Sequence, residues 1–456
     1  MAGLLLAGAL AGAAEAQTAC SRFTPSKSSA YNGMTVALPW RTDLPSAPGT
    51  ATHAWEAIPL TSWEAYMAAV LSEIRASGLK LQGNRVVMNA NAEWWITPWM
   101  DYGDSGREKR LGLTKERDAQ LHDLSPTSAQ GAQVWAVGFY NREGAAALGR
   151  VFADPCNPVF PTGAAAFPQN TASFKLLFTN ASATQVRYLQ GGPQVTAFIG
   201  PSVPARVARS MRLLQMDIAV KDARSPTGWV FGTYIWKGPP TGDRLLDNLV
   251  PVGLMWGNDP AASAAQRDDF ATLGETRLNP ALAGVVWRGP GQIWPERPWP
   301  GFQGRLNGPA DNLRSSCLSC HALAQWPRSI ALGIVPRDAW PSLMSQTARD
   351  DLRAKYLKNV PAGALTNPVE ANPNLPAWAG ATSLDYSMQL EAAFDRMCRA
   401  CKAGALTGAT PAMCKIAGLR SNTTLVETPN CPAAASPVAR TAASAARTAP
   451  DPPPRQ

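Results

Sequence analysis

A chain of 456 residues, 45% of them hydrophobic, is long enough for a sizeable core and predicts at least two domains. Its net charge of +9 is spread along the chain, which argues against the basic tract of a nucleic-acid-binding protein. Beyond residue 16 no stretch approaches the roughly 18 to 20 uninterrupted apolar residues of a membrane helix, so no membrane span is predicted.

The chain opens on an apolar run from Leu4 to Ala14, followed by small residues with Ala14 and Ala16 just before Gln17. This pattern predicts a secretory signal peptide over 1–16 and a periplasmic or secreted protein. No Lys or Arg precedes the run. A lipid anchor at Cys20 is the weaker alternative, since Gln17 stands where a leucine is normally found. Residues 17–60, rich in Ser, Pro, Thr and Ala, read as an extended lead-in. Thr61 and Glu64 then have capping-box spacing, and Trp63, Met67, Val70, Leu71 and Ile74 recur on one face until Gly78 supplies a stop.

From about residue 84 the period changes to two. In "MRLLQMDIAV" Leu214, Met216, Ile218 and Val220 alternate with the residues between them, and "WVFGTYIWKG" resumes the pattern after a turn-rich "KDARSPTG". The two segments predict a hairpin, and "QVWAVGFYN" and "SFKLLFTN" predict further strands. Residues 61–300 are therefore expected to form a β-rich, sandwich-like domain or a strongly twisted antiparallel sheet. The Pro-, Gly- and Trp-dense stretch 287–309 fits neither a helix nor a central strand, and it reads as the connection into a second domain. Helical patterns return near 338–357 and 383–403. The low-complexity residues 432–456 predict a disordered tail.

The sharpest local signal is Cys317, Leu318, Ser319, Cys320 and His321, two cysteines three apart with a histidine directly after. Cysteines at i and i+3 of a helical turn lie on one face, and an adjacent histidine can present a ring nitrogen to a metal beside them. Ser315 and Ser316 are placed to cap the turn. A zinc site is an alternative, but no compact second ligand pair lies at the short spacing of common zinc modules. A thioredoxin-like dithiol is another, and it lacks the surrounding βαβ pattern.

At these five residues the sequence resembles the c-type cytochromes. The resemblance implies covalent haem c on Cys317 and Cys320 with His321 as an iron ligand. It also implies a methionine as second ligand, for which Met344, Met388, Met397 and Met413 are candidates and Met388, 67 residues past His321, has the most plausible separation. With it, the expected fold is α+β and multidomain: the β-rich domain over 61–300, then a mainly α-helical, cytochrome c-like haem domain over 301–431. The function that follows is an exported monohaem c-type cytochrome in one-electron transfer. The alternatives are a haem-dependent oxidoreductase whose β-rich part binds substrate, and a secreted disulfide-stabilised binding protein. Whether the chain is an enzyme stays open.

Setting Cys317 and Cys320 aside leaves Cys20, Cys156, Cys398, Cys401, Cys414 and Cys431, an even set suited to disulfides in an exported protein. The "CRACK" segment ending at Lys402 resembles the lysine-ligated haem attachment of pentahaem nitrite reductases, but structural disulfides account for it better. Residues 301–358 hold eight Lys or Arg against four Asp. That excess either steers an acidic redox partner protein or balances haem propionates. Trp94, Trp95 and Trp99 beside Glu93, Asp101 and Asp104 can line a substrate cleft, though core packing is the commoner use. His53 and His122 carry no recognisable catalytic arrangement.

Overall fold

The computed structural model describes residues 18–23, 38–100, 106–120, 122–126, 130–200, 206–238, 245–262, 273–288, 297, 299–312, 315–326, 357–365, 381–402 and 406–407. The expected signal peptide, the helix near 338–357 and the tail from 432 lie outside them.

Nine strands form one antiparallel sheet. In chain order they are β1 (Trp94–Ile96), β2 (Thr114–Asp118), β3 (Gln133–Asn141), β4 (Ala172–Thr179), β5 (Gln194–Ile199), β6 (Val207–Lys221), β7 (Trp229–Trp236), β8 (Leu249–Met255) and β9 (Thr276–Leu278). Across the sheet they run β9-β8-β7-β6-β4-β3-β1, with β2 also pairing β3 and β5 also pairing β6. The hairpin expected from 211–236 is present, with Trp229 opposite Lys221 and Thr233 opposite Asp217.

Four α-helices accompany the sheet among the described residues: α1 (Trp63–Ala76), α2 (Arg142–Val151), α3 (Cys317–His321) and α4 (Met388–Lys402). Helix α1 buries the predicted stripe, with Tyr66 added to it, against one face of the sheet. Its N-cap is Ser62, not Thr61, and Ser62 makes no side-chain capping bond. Gly78, at φ +70°, ends it through a bond from its N–H to the Arg75 carbonyl. Gly232 lets the helix approach closely, because a Cβ there would sit 3.1 Å from the end of Met67. Asn141 caps α2, accepting from the Gly144 N–H while also tying down the start of β4 through Ala172.

Here the expected fold class is overturned. There is one large sheet and no sandwich, and no mainly α-helical cytochrome c-like domain is present among the described residues. Helix α3 is a five-residue turn. Together with α4 it packs in the same apolar cluster as Trp229, Phe231 and Ile235 of β7. The alternation in these strands suggested one buried face, yet all eight residues of β7 are buried. Helix α1 covers the first face. The second is covered by α2 and by irregular chain, including Leu306, Trp326 and Leu384. Pro- and Gly-rich composition marks such chain as irregular but does not reveal that it is buried.

Candidate functional site

The Cys-Leu-Ser-Cys-His turn sits on the second face of the sheet. Ser316 is its N-cap, accepting from the Ser319 N–H at 3.0 Å. The Cys317 N–H donates to the Leu306 carbonyl. Asn258, which follows β8, accepts from both serine hydroxyls of the turn through Oδ1, Ser316 at 2.8 Å and Ser319 at 3.1 Å. Downstream, the Leu384 N–H donates to the Ala324 carbonyl, and Gln325–Trp326 pairs with Thr382–Ser383. The turn is thus tied to the sheet, to the loop before it and to the chain entering α4.

Within this frame Cys317 is buried and Cys320 is half-buried, and both sulfurs are thiols. The Cys320 thiol lies 3.9 Å from the Met388 sulfur. Burial, with the nearby charges of Asp311 and Asp217, pushes the Cys317 thiol well above its ordinary range. The imidazole of His321 packs at 4.5 Å, centroid to centroid, on the ring of Phe231. Its Nδ1 is 2.8 Å from the Tyr386 carbonyl oxygen. A carbonyl only accepts, so Nδ1 carries the proton and Nε2 keeps its lone pair. Burial lowers the ring's pKa to about 4, which keeps it neutral near pH 7.

Beneath the turn a polar row crosses the sheet. Lys175 of β4 is opposite Asp217 of β6, which is opposite Thr233 of β7. The Lys175 ammonium lies 3.7 Å from Asp217 and 3.8 Å from Glu116. Asp217 accepts from Thr233 at 2.9 Å and from Gln215 at 2.7 Å. The same Gln215 amide donates to Asp311 at 2.9 Å. Gly308 has to be glycine for this contact, since a Cβ would fall 2.1 Å from the Gln215 amide nitrogen. Burial and the Asp311 carboxylate raise the pKa of Asp217 to about 7. For Lys175, burial opposes the charge and the surrounding carboxylates outweigh it, so its pKa is raised. Lys175 is half-buried, with 33% of its side chain accessible. Cys320 and His321 are likewise half-buried.

Of the residues expected from the sequence, Cys317, Cys320 and His321 share one turn and Met388 lies beside Cys320. Met397 is buried in the apolar cluster, while Met344 and Met413 lie outside the described residues. Trp94, Trp95 and Trp99 are buried and Asp101 and Asp104 lie outside the described residues. His53 is buried against Trp55, with Nδ1 at 2.9 Å from Glu73 and Nε2 at 3.7 Å from Glu143. Cys20 pairs with Cys156, and Cys398 is also disulfide-bonded. Sequence reasoning missed Asn258, Lys175, Gln215, Asp217 and Asp311. For Lys175, Gln215 and Asp217 the one sequence signal was a polar residue in a largely apolar strand, as Lys175 is in "SFKLLFTN"; Asn258 and Asp311 lie in loops and had none.

No protein-family model matches the chain, and comparisons with curated proteins and with solved structures return no significant match. Among the described residues no group of three or more His, Cys, Asp or Glu side chains is arranged to hold a metal ion. The resemblance to the c-type cytochromes is therefore corrected. It rested on five residues, and neither a family match nor the surrounding sheet sustains membership of that family. A five-residue turn specifies local chemistry but not the fold that carries it.

Proposed function

We propose that Cys317 and Cys320 hold a covalently attached haem c, that Nε2 of His321 ligates its iron, and that the exported protein serves one-electron transfer from a β-sheet scaffold. The observation that carries this reading is the seat of His321. Its Nδ1–H is committed to the Tyr386 carbonyl, which leaves Nε2 as a fixed, neutral donor beside two thiols on one turn. Metal-ligating histidines are held this way, the second nitrogen donating to a carbonyl or carboxylate. Both thiols are reduced, as addition across vinyl groups requires, with sulfur going to one carbon and hydrogen to the other. When bound, the haem supplies a reversible ferric–ferrous couple. Phe231 would flank the ligating imidazole, and Met388, whose sulfur is 3.9 Å from the Cys320 thiol, would offer a second ligand. An acidic protein is the partner that the excess of Lys and Arg over Asp in the sequence of residues 301–358 would suit.

A second reading has its own observation. The accessible Lys175 with Asp217, Asp311 and Gln215 forms a polar floor suited to a hydrogen-bonding substrate, which favours a haem-dependent oxidoreductase. The test is the full chain matured with a haem-attachment system. A pyridine haemochrome spectrum should show stoichiometric haem that survives acid-acetone extraction. Cys317→Ser with Cys320→Ser should abolish it. Haem that extracts from the wild type, or never attaches, overturns the proposal. A low-spin ferric spectrum altered by Met388→Ala supports the electron carrier, whereas a high-spin iron that binds carbon monoxide on reduction supports the enzyme.

A further inference from the structure

We infer that Asp385 is the positioning residue for His321: it holds a left-handed backbone corner that aims the Tyr386 carbonyl at Nδ1. This rests on the reading of His321 as the iron ligand and adds the device that orients it.

Asp385 and Tyr386 are consecutive non-glycine residues at φ +50° and +66°. A side chain makes that region unfavourable, more so for a bulky one, so two in a row persist only where the surroundings impose them. The surroundings are identifiable. Asp385 Oδ1 accepts from the Trp229 indole N–H at 2.9 Å, and its Oδ2 pairs with the Lys221 ammonium. Trp229 and Lys221 are register partners at the turn end of the β6–β7 hairpin, so one carboxylate grips both strands. The Asp385 N–H donates to the Ser383 hydroxyl at 3.2 Å, and the Tyr386 hydroxyl donates to the Val360 carbonyl at 2.6 Å.

The corner turns the Tyr386 carbonyl toward His321, and two residues later Met388 begins α4 beside Cys320. Phe231, two residues beyond Trp229 in β7, is the ring against which the imidazole rests. The end of one hairpin therefore sets both the plane of the imidazole and, through Asp385, the nitrogen that carries its proton. Without the carboxylate the corner relaxes toward an ordinary conformation, the carbonyl turns away and both tautomers become populated.

The test uses full-length protein with two readouts. In a Cys317→Ser, Cys320→Ser background labelled with ¹⁵N-histidine, NMR should place the His321 proton on Nδ1, the signals being assigned with His321→Gln. Asp385→Ala should shift them to a tautomeric average. Asp385→Asn, which keeps an acceptor for Trp229, should retain the Nδ1 form in larger part. In haem-loaded protein of undiminished haem content, Asp385→Ala should raise the midpoint potential, because an imidazole without its Nδ1 hydrogen bond is a weaker donor to ferric iron. Trp229→Phe removes one donor to the carboxylate and should shift both readouts the same way by less, which serves if Asp385→Ala does not fold. An unchanged tautomer and potential in folded Asp385→Ala, or in Trp229→Phe together with Asp385→Asn, overturns the inference. Absence of haem from the wild type overturns the proposed function instead and leaves the NMR readout of Asp385 intact.

Discussion

The two faces of the sheet are buried by different means. On the first, Tyr66, Met67, Val70 and Ile74 of α1 share one apolar cluster with side chains of β3, β4, β6 and β7. On the second, apolar packing by Trp229, Phe231 and Trp326 surrounds a polar strip of Lys175, Asp217, Thr233 and Gln215, with chain of little regular structure laid over it. A polar row in mid-sheet is costly unless its groups are paired. Its pairing extends to Glu116 and Asp311, and the Cys-Leu-Ser-Cys-His turn lies above it. One face is apolar throughout its contact with α1, and the other sets a paired polar row among apolar side chains.

The widest contrast comes from deleting bulk on the first face. Ile74→Ala should cost about 2–5 kcal/mol in urea unfolding, the usual penalty for emptying a closed core site. Haem attachment at Cys317 and Cys320 should be unchanged wherever the variant is folded. Loss of attachment in folded Ile74→Ala would show that the faces are not independent.

The pH dependence of stability should separate Asp217 from His53 by window, both contributions being lost as pH rises. Asp217 on the second face has its pKa raised to about 7, so the folded state keeps a proton that the unfolded chain has released. Its contribution is full below the ordinary carboxylate range and is lost as pH rises from about 4 to about 7. The stability of wild type relative to Asp217→Asn should therefore fall across that window. His53, wedged between Glu73 of α1 and Glu143 of α2, is raised to about 9: burial opposes the charge, but the carboxylates of Glu143 and Glu73 outweigh it. Its contribution is full below about 6.5 and is lost as pH rises through 9. Wild type relative to His53→Gln should lose stability there and show no such change between pH 4 and 6. Chemical denaturation at stepped pH checks both.

The smallest expected effect is at the turn. Ser316→Ala removes the N-cap and a donor to Asn258, and should cost about 0.5–2 kcal/mol. Asn258→Ala should weaken the same frame from the other side. A double-mutant cycle should show the two changes coupled, because one hydrogen bond is lost in both.

Helix α1, strands β3, β4, β6 and β7 and the Cys317–His321 turn were all legible in the sequence, because each rests on local periodicity or on a fixed spacing. What covers the second face was not. Residues 299–312 carry Pro and Gly in linker-like density, yet Leu306 and Arg305 are buried there, and only strand order and register decide that they lie against β2, β6 and β8. The polar row shows the same division. Lys175, Asp217 and Thr233 occur far apart, each in an otherwise apolar strand, and nothing local says that they are neighbours. By itself the sequence determined that Cys317, Cys320 and His321 share one turn, the spacing on which the haem proposal rests. Only the tertiary structure decided what surrounds that turn, because pairing β4 with β6 and β6 with β7 brings the Lys175 row together and the left-handed corner at Asp385 and Tyr386 carries the carbonyl that accepts from His321 Nδ1.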